Sequence, residues 1–455
     1  MKTYMYLLRK VNNGAILLKD YDSFSILRDC EKNTMVFKEL SELSKAPMLP
    51  QLAKLCCIDL VGDTGDYKIN LVGIDGTILD IGQGYKAKHL YAFKGYIQST
   101  WRPYIDLSGI YSFLESLNII RNQSCKEKAY VFNPYPIQTC MLINNESFLC
   151  LKPGSLREYS RDVEVIDNIG KILANTGYSM VIRDNILRII FNREFIDIVF
   201  NSNIASTVYD RVNNVLLIEG NGFKLWFNPL NNVVLIKSSS SFSIDTCFLN
   251  ARLYVLNPYF IHVDNVEHGE NVKIKASWFC LENKYSIGIV NPFSKEISIE
   301  TGKIMVNDES VIGVVIQKKP GLEILHGMLL GLLAQGMVID GLEDTVIECL
   351  GPLIEIYPKV FIGEIKYDKD SIDLVLFNPS NKFKTIELKT VFKINRCMLY
   401  ESENPKGVEI KTIKLNRVLL TMSPYKIVRI KLELERVPAN LLKYRSILRK
   451  KFLGI

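Results

Sequence analysis

The sequence predicts a mainly β protein, with antiparallel β-sandwich domains, a small α+β unit at the N-terminus and a helix between the sandwiches. Apolar runs of strand length end in Asn-Pro at five places. From about residue 129 onward, apolar and polar residues alternate with a period of two, and Asn, Gly, Ser and Pro separate the short runs. The five sites are Asn133-Pro134, Asn228-Pro229, Asn257-Pro258, Asn291-Pro292 and Asn378-Pro379.

Asn-Pro acts as a strand terminator for steric and hydrogen-bonding reasons. The residue before a proline is restricted to extended backbone conformations, and proline has no N–H to donate to a neighbouring strand. A strand that reaches Asn-Pro therefore turns or leaves its sheet. The five sites are unevenly spaced along the chain, so they do not mark a tandem repeat.

Length and pattern divide the chain into five predicted segments. At 455 residues the chain is too long for a single hydrophobic core, so we expect more than one domain. The predicted segments are an α+β N-terminal unit (1–128), a large β-sandwich (129–320), a helical connector (321–358), a C-terminal β-sandwich (359–437) and a basic amphipathic tail helix (438–455).

The N-terminal unit mixes helix and strand signals. A helix is predicted over residues 33–43, with Asn33 or the next residue as its cap, and a second short helix ends at Cys57. A third helix is predicted over residues 107–120, where apolar residues recur on one face. Glycine-punctuated strands are predicted between residues 67 and 96.

Two hairpins are predicted in the large sandwich. Residues 216–227 form the clearer one, because the turn Gly220-Asn221-Gly222 suits the positive φ angles of a tight hairpin. Residues 185–191 and 195–200 form the other pair.

The connector contains the longest apolar stretch, residues 322–342. Four polar residues interrupt it, so it is shorter and more polar than a bilayer span requires, and we predict a buried helix. Gly327 and Gly331 lie four residues apart on this helix, a spacing that permits close helix–helix packing. We favour the alternative, a core helix that packs against a sheet.

Six short strands are predicted in the C-terminal segment, a number and spacing typical of a sandwich. They are residues 360–367, 371–377, 385–391, 395–400, 418–422 and 425–434.

Composition limits the possible partners and locations. The net charge of +7 is spread over 56 basic and 49 acidic residues without a long basic stripe, so nucleic acid is not the expected partner. The ten cysteines lie mostly in apolar runs, and we predict buried free thiols in a reducing, cytoplasmic location. Neither a secretory signal nor a transmembrane segment is predicted.

Five segments of the β region share strand-and-turn motifs with a known family. They are Leu376-Phe377-Asn378-Pro379, Val391–Cys397 and Pro424–Leu432, together with Tyr130–Pro134 and Ile182–Phe191. These segments resemble the C-terminal β-domains of glycoside hydrolase family 38 α-mannosidases, in which an apolar-Asn-Pro turn is followed by two characteristic strands and a strand of the central β-domain has Asn shortly before Leu-Arg-apolar.

The resemblance covers residues 129–434 and implies sandwich domains without catalysis. The family's zinc site and catalytic carboxylates belong to a large domain that precedes the β-domains. Residues 1–128 contain one histidine, His89, and no counterpart of the family's zinc-binding His-x-Asp motif. The chain is therefore similar to the β half of such an enzyme, and we expect no catalytic residues and no cofactor in it.

Three groups of residues are candidate sites, each with a structural alternative. Exposed aromatic rings stack on sugars, which makes Tyr91, Phe93, Tyr96, Trp101 and Tyr104 carbohydrate-binding candidates, although core packing is favoured. Imidazole and carboxylate ligands suit zinc, which makes His262, Asp264 and His268 metal candidates, although a surface loop is favoured. The tail offers a basic face for an acidic partner, although a capping helix is favoured; its residues are Lys443, Arg445, Arg449, Lys450 and Lys451.

The leading functional hypothesis is a non-catalytic carbohydrate-recognition or scaffolding protein. One alternative is the β subunit of a split glycoside hydrolase whose catalytic barrel is encoded separately. The other is a protein- or nucleic-acid-interaction factor that uses the basic tail. Expected partners are a carbohydrate ligand and, in the split-enzyme case, a catalytic subunit.

Overall fold

The computed structural model is mainly β and divides into two compact units. The first unit comprises Met1–Arg102, Asp162–Leu325 and Pro379–Asn381, and the second comprises Pro103–Arg161, His326–Asn378 and Lys382–Ile455. The structure describes residues 5–11, 14–21, 24–29, 34–38, 69–72, 78–81, 90–93, 96–99, 103–106, 108–116, 129–166, 169–174, 176–246, 248–256, 261–300, 302–334, 337–340, 352–380, 382–401, 404–423 and 427–438.

The elements up to residue 173 are strands and two short helices. In chain order they are β1 (Met5–Val11), β2 (Gly14–Tyr21), β3 (Phe24–Asp29), β4 (Thr34–Lys38), β5 (Ile69–Val72), β6 (Ile78–Ile81), β7 (Leu90–Phe93), β8 (Tyr96–Ser99), β9 (Tyr104–Asp106), α1 (Ile110–Ser116), β10 (Ala129–Phe132), β11 (Thr139–Ile143), β12 (Ser147–Leu151), β13 (Leu156–Glu158), β14 (Val163–Val165) and α2 (Ile169–Leu173).

The remaining elements are strands and one longer helix. They are β15 (Tyr178–Arg183), β16 (Ile186–Phe191), β17 (Glu194–Phe200), β18 (Ile204–Asp210), β19 (Val215–Gly220), β20 (Phe223–Asn228), β21 (Val233–Ser238), β22 (Phe242–Asp245), β23 (Ala251–Leu256), β24 (Ile261–Val266), β25 (Asn271–Lys275), β26 (Trp278–Glu282), β27 (Ser286–Val290), β28 (Glu296–Glu300), β29 (Lys303–Val306), β30 (Ser310–Gln317), α3 (Leu322–Ala334), β31 (Met337–Asp340), β32 (Ile354–Tyr357), β33 (Phe361–Asp368), β34 (Ser371–Phe377), β35 (Lys384–Thr390), β36 (Phe392–Glu401), β37 (Asn404–Glu409), β38 (Arg417–Met422) and β39 (Ile427–Pro438).

Two large sheets pack together in the first unit. Over the described residues, one has ten strands in the order β14-β18-β19-β20-β21-β30-β27-β26-β23-β24, and the other has nine in the order β15-β16-β17-β22-β29-β28-β25-β8-β7. Phe200 of β17 stacks on Phe223 of β20, with ring centroids 3.7 Å apart, so the core lies between the two sheets. The pairings are antiparallel, except that β8 joins β25 in parallel.

The second unit is a smaller sandwich. A six-stranded sheet, β37-β36-β39-β34-β33-β9, faces a three-stranded sheet, β32-β35-β38, as far as the structure describes them. Alternate apolar side chains of both sheets meet in one core, for example Ile372 and Leu374 from β34 and Ile386 and Leu388 from β35. Strand β9 pairs with β33 in parallel.

The four Asn-Pro sites that the structure describes end strands, as predicted. Strand β20 ends at its asparagine, and β10, β27 and β34 each end one residue before theirs. The site at Asn257, after β23, lies outside the described residues. At Asn133, Asn291 and Asn378, the side-chain Nδ2 donates to the carbonyl oxygen four residues later, at 2.9, 2.7 and 2.8 Å. The asparagine thus closes the turn that the proline begins.

These asparagines are buried, with exposed fractions of 0% for Asn133 and 1% for Asn291 and Asn378. Asn133 makes the most contacts. Its Nδ2 also lies 3.3 and 2.8 Å from the carbonyl oxygens of Leu151 and Lys152, and its Oδ1 accepts the N–H of residue 135 at 3.0 Å. A buried amide with these bonds satisfies backbone groups that would otherwise lack partners.

Helix α3 packs against a strand, as predicted. A Cβ placed on Gly327 would lie 2.3 Å from the carbonyl oxygen of Gln138, and one on Gly331 would lie 2.3 Å from that of Cys140. Four helical residues rise about 6 Å and two strand residues advance about 6.6 Å, so the two repeats match. The glycine pair lets the helix backbone approach β11.

His326 of α3 is fully buried in the second unit. The N–H of Ile362 donates to its Nε2 at 2.9 Å, and the ring lies beside Phe361, with centroids 5.2 Å apart. Burial lowers the pKa of His326 from 6.5 to about 3.

Acidification should therefore destabilise the second unit through His326. The unfolded chain takes up a proton below pH 6.5, whereas the folded chain stays neutral to about pH 3, so this contribution is complete above pH 6.5 and is lost as the pH falls. We expect a loss of about 2 kcal/mol in unfolding free energy between pH 6.5 and 5 from this group. Urea titrations of the wild type and His326→Gln measure it: the variant should lose this part of the slope, and exposed His268→Gln should keep it. Equal slopes in all three would contradict it.

The predicted hairpins and C-terminal strands are confirmed. Strands β19 and β20 pair across the Gly220-Asn221-Gly222 turn, and β16 pairs with β17. The six predicted C-terminal strands correspond to β33, β34, β35, β36, β38 and β39. The third predicted N-terminal helix is present as α1 over Ile110–Ser116, and residues 117–120 of that prediction lie outside the described residues.

One prediction of helix is wrong. The helix predicted over residues 33–43 contains β4, which pairs with β1 and β3, so strand pairing overrides the capping signal. The segment predicted as a helical connector contains α3, described to Ala334, and two strands, of which β31 pairs with β10 and β32 pairs with β35. The predicted helix that ends at Cys57 lies outside the described residues.

The prediction of free thiols is wrong for one pair. Cys140 and Cys150 lie directly opposite each other in the β11–β12 hairpin and form a disulfide. The sequence does not reveal this register, so their proximity could not be predicted. Cys280 and Cys397 are free and buried, as predicted. A cytoplasmic location stays a prediction.

The compact units are not continuous in sequence. Strand β8 joins the first unit through β25, whereas β9, five residues later, joins the second unit through β33. Residues 1–128, predicted as one α+β unit, are therefore divided between the two.

Of the helices that the structure describes, none combines the length and apolar character needed to cross a bilayer.

Candidate functional site

The three-stranded sheet of the second unit has one buried side and one side that faces solvent. Along β35, Ile386 and Leu388 are buried, whereas Thr385 is exposed and Glu387 is half-buried. Phe383 lies one residue before β35, in step with these outward positions. We name the solvent side the outer face; it consists of Glu355, Tyr357, Phe383, Thr385, Glu387, Lys389, Arg417, Leu419 and Thr421.

Large apolar side chains are unusually exposed on the outer face. Tyr357 is 74% exposed, Phe383 is 71% exposed and Leu419 is 48% exposed. In the sheet register, Tyr357 lies opposite Glu387, which lies opposite Leu419 on the third strand. Tyr357 therefore stands on a paired strand, and Phe383 lies one residue before the paired part of β35.

Polar groups fill the surface between the rings. Arg417 Nη1 lies 2.8 Å from Glu387 Oε1, and Lys389 Nζ lies 3.8 Å from Glu355 Oε2. The hydroxyls of Thr385 and Thr421 lie 3.1 Å apart across β35 and β38. The four charges form two ion pairs, so the outer face has donors and acceptors but no net charge from these groups.

This arrangement can hold a ligand that is apolar on one side and rich in hydroxyl groups at its rim. Aromatic rings offer flat apolar surfaces for stacking. Carboxylate, guanidinium and hydroxyl groups beside them offer hydrogen bonds that fix orientation. A sugar ring has both kinds of surface.

Three titratable groups of the second unit lie in its core and not on the outer face. Burial raises the pKa of the Tyr135 and Tyr367 hydroxyls and raises the pKa of the Cys397 thiol to about 12. The Tyr367 hydroxyl donates to the carbonyl of Pro134, in the turn after the first Asn-Pro asparagine. These groups stay protonated at neutral pH and lie in the core.

The structure describes only part of the predicted aromatic cluster. Tyr104 lies on β9 in the second unit and is 54% exposed, opposite Glu364 in the register. The backbone places Tyr91 and Phe93 on β7 and Tyr96 on β8, with Phe93 opposite Tyr96, but their side chains lie outside the description. Trp101 lies outside the described residues. Carbohydrate binding by this cluster stays a prediction.

The predicted metal and tail residues are described only in part. His262 and Asp264 lie on β24, two positions apart, and their side chains are outside the description. His268 is exposed, and its backbone N–H donates to Asn250 Oδ1 at 2.8 Å. No group of three metal-ligating side chains occurs among the residues described. The tail residues Lys443, Arg445, Arg449, Lys450 and Lys451 lie outside the described chain.

No motif in the sequence predicts the outer face. Its signal in the sequence is an aromatic residue at a polar position of a strand: Ile354-Glu355-Ile356-Tyr357 alternates apolar and polar until Tyr357. Phe383 stands between two lysines just before a predicted strand. Single aromatic residues of this kind are common on surfaces, and only the register brings these two onto one sheet.

No protein-family model matches the chain, and no curated protein matches it. Among solved structures, the chain is similar to a glycoside hydrolase family 38 protein from Enterococcus faecalis, with 8% identity and a TM-score of 0.33 over 96% of this chain and 53% of that one. It is also similar to a glycoside hydrolase family 81 protein from Clostridium thermocellum, with 7% identity and a TM-score of 0.22 over 76% of this chain and 42% of that one.

An α-galactosidase from Lactobacillus brevis aligns with 10% identity and a TM-score of 0.18, over 61% of this chain and 43% of that one. The chain spans about half the length of these proteins. At these TM-scores the alignments carry no argument about function. They amount to a weak and remote resemblance to glycoside hydrolase chains.

Proposed function

We propose that this protein is a carbohydrate-recognition protein and that it binds sugars on the outer face. The observation that carries the proposal is the exposure of two rings at outward positions, Tyr357 at the end of β32 and Phe383 one residue before β35, which are 74% and 71% exposed. Exposing two large rings to water is unfavourable, and burial against the apolar side of a sugar ring would recover that free energy.

The polar groups between the rings support the same ligand class. Glu387 and Arg417 are held in place by their ion pair, with side chains 34% and 36% exposed, so each can still reach a ligand. An exposed ion pair adds little to stability, which leaves ligand orientation as a use for the pair.

Replacing Tyr357 with alanine tests the proposal. We expect isothermal titration of the wild type to detect binding to at least one of the manno-, cello- or malto-hexasaccharides, and Tyr357→Ala to weaken it about two- to tenfold. Tyr111→Ala is the matched control, because Tyr111 is 51% exposed on α1 of the same unit. The proposal would be contradicted if the wild type bound none of these sugars, or if Tyr357→Ala bound as tightly as Tyr111→Ala.

A further inference from the structure

The two exposed rings of the outer face are too far apart for one sugar ring. Tyr357 lies opposite Glu387, and Phe383 precedes Glu387 by four residues along the neighbouring strand. Four strand residues and one strand spacing place the two Cα positions about 14 Å apart. A monosaccharide that stacks on Tyr357 therefore leaves Phe383 unoccupied, and the same holds in reverse.

Polar side chains line the space between the rings. Glu387 lies on β35 at the level of Tyr357, and Thr385 lies two residues nearer to Phe383 and shares a hydrogen bond with Thr421 at 3.1 Å. A chain of linked sugars that stacks at both ends would lay its hydroxyl groups over these residues. The surface is a sheet and not a pocket wall, so it suits an extended chain.

The charged side chains of the outer face favour uncharged sugar chains over anionic ones. The two cations of the outer face, Lys389 and Arg417, each lie beside a carboxylate, at 3.8 and 2.8 Å. An anionic sugar that approached either cation would also meet Glu355 or Glu387, so its Coulomb attraction would be offset. Uncharged sugars meet no such opposition.

We infer that the outer face has two aromatic subsites, Tyr357 and Phe383, which bind one extended, uncharged oligosaccharide together. This inference rests on the proposed function and specifies its ligand. The two subsites act on one molecule, so the second stacking contact needs no separate encounter, and affinity rises when the chain is long enough to span both.

A length series tests the inference with the full chain. Isothermal titration with the mono- to hexasaccharides of the manno-, cello- and malto- series should show, in the series that binds, about a tenfold gain in affinity between the shortest and longest members. Phe383→Ala should remove this gain. Its affinity for the shortest member should stay within about twofold of the wild-type affinity, or the shortest member should bind neither protein detectably. Phe293→Ala, at a position that is 51% exposed in the first unit, is the control that should keep the gain.

The possible results distinguish a failure of the two-subsite inference from a failure of the proposed function. An equal affinity for short and long members, or a gain that survives Phe383→Ala, would overturn the two-subsite inference while leaving sugar binding in place. Tighter binding of an acidic series, the oligogalacturonates, would overturn the preference for uncharged chains. Failure of the wild type to bind any sugar would overturn the proposed function itself. Thermal melts of each variant, expected within about 2 °C of the wild type for exposed positions, show that the fold is intact.

Discussion

Replacing Asn133 with alanine should lower the free energy of unfolding of the second unit by about 3–6 kcal/mol. The change removes a fully buried amide whose nitrogen contacts the carbonyls of Ile137, Leu151 and Lys152 and whose oxygen accepts the N–H of Tyr135. Each buried backbone group left without a partner costs about 1–3 kcal/mol. Urea unfolding followed by circular dichroism measures the loss.

The matched control for this change is Asn221→Ala. Asn221 is exposed in the β19–β20 turn, and we expect a change within about 0.5 kcal/mol there. If Asn133→Ala does not fold, Asn291→Ala tests the same role, because Asn291 makes two bonds with Lys295, and a smaller loss is expected. A cost at Asn133 or Asn291 no larger than that at Asn221 would show that these side chains do not close the turns.

Replacing Gly331 with alanine should destabilise the second unit by about 2–4 kcal/mol. Helix propensity alone predicts the opposite sign, a gain of up to about 1 kcal/mol. The packing term outweighs propensity because the new Cβ would lie 2.3 Å from the carbonyl oxygen and 2.8 Å from the carbonyl carbon of Cys140, and a backbone group in a disulfide-linked hairpin cannot rotate away.

Gly363→Ala separates the clash from a general effect of losing glycine. At Gly363 of β33 the nearest atom to a new Cβ is a methyl carbon of Val375 at 3.4 Å, which is ordinary contact. We expect a change of less than about 1 kcal/mol there. Equal thermal stability of Gly331→Ala and the wild type would mean that α3 does not lie on β11.

The strand ends of this fold could be predicted because their causes are local. Proline restricts the residue before it wherever the pair occurs, and the four Asn-Pro sites within the described residues end strands. The role of the asparagine could not be predicted, since Asn378 donates to Ser423, 45 residues away, as well as to Lys382. The apolar–polar periodicity likewise predicts where the C-terminal strands lie in the sequence, but it does not predict which strands pair with each other.

The predictions that failed depend on contacts between residues far apart in sequence. Thr34 has the chemistry of a helix cap, but strand β4 pairs on both sides, with β1 and β3. Cys140 and Cys150 are neighbours only because of the β11–β12 register. Tyr357 and Phe383 belong to one face only because β32 pairs with β35. Strands β33 and β34 lie between them in the chain, and the periodicity of the sequence does not predict which strands pair.

A crystal structure of the protein with its tightest-binding neutral hexasaccharide tests the central claim most directly. We predict one sugar ring stacked on Tyr357, another stacked on Phe383, and hydroxyl groups within hydrogen-bond distance of Glu387 or Arg417. Sugar bound at Tyr104, on the first unit or anywhere else that leaves both rings of the outer face bare would contradict the claim.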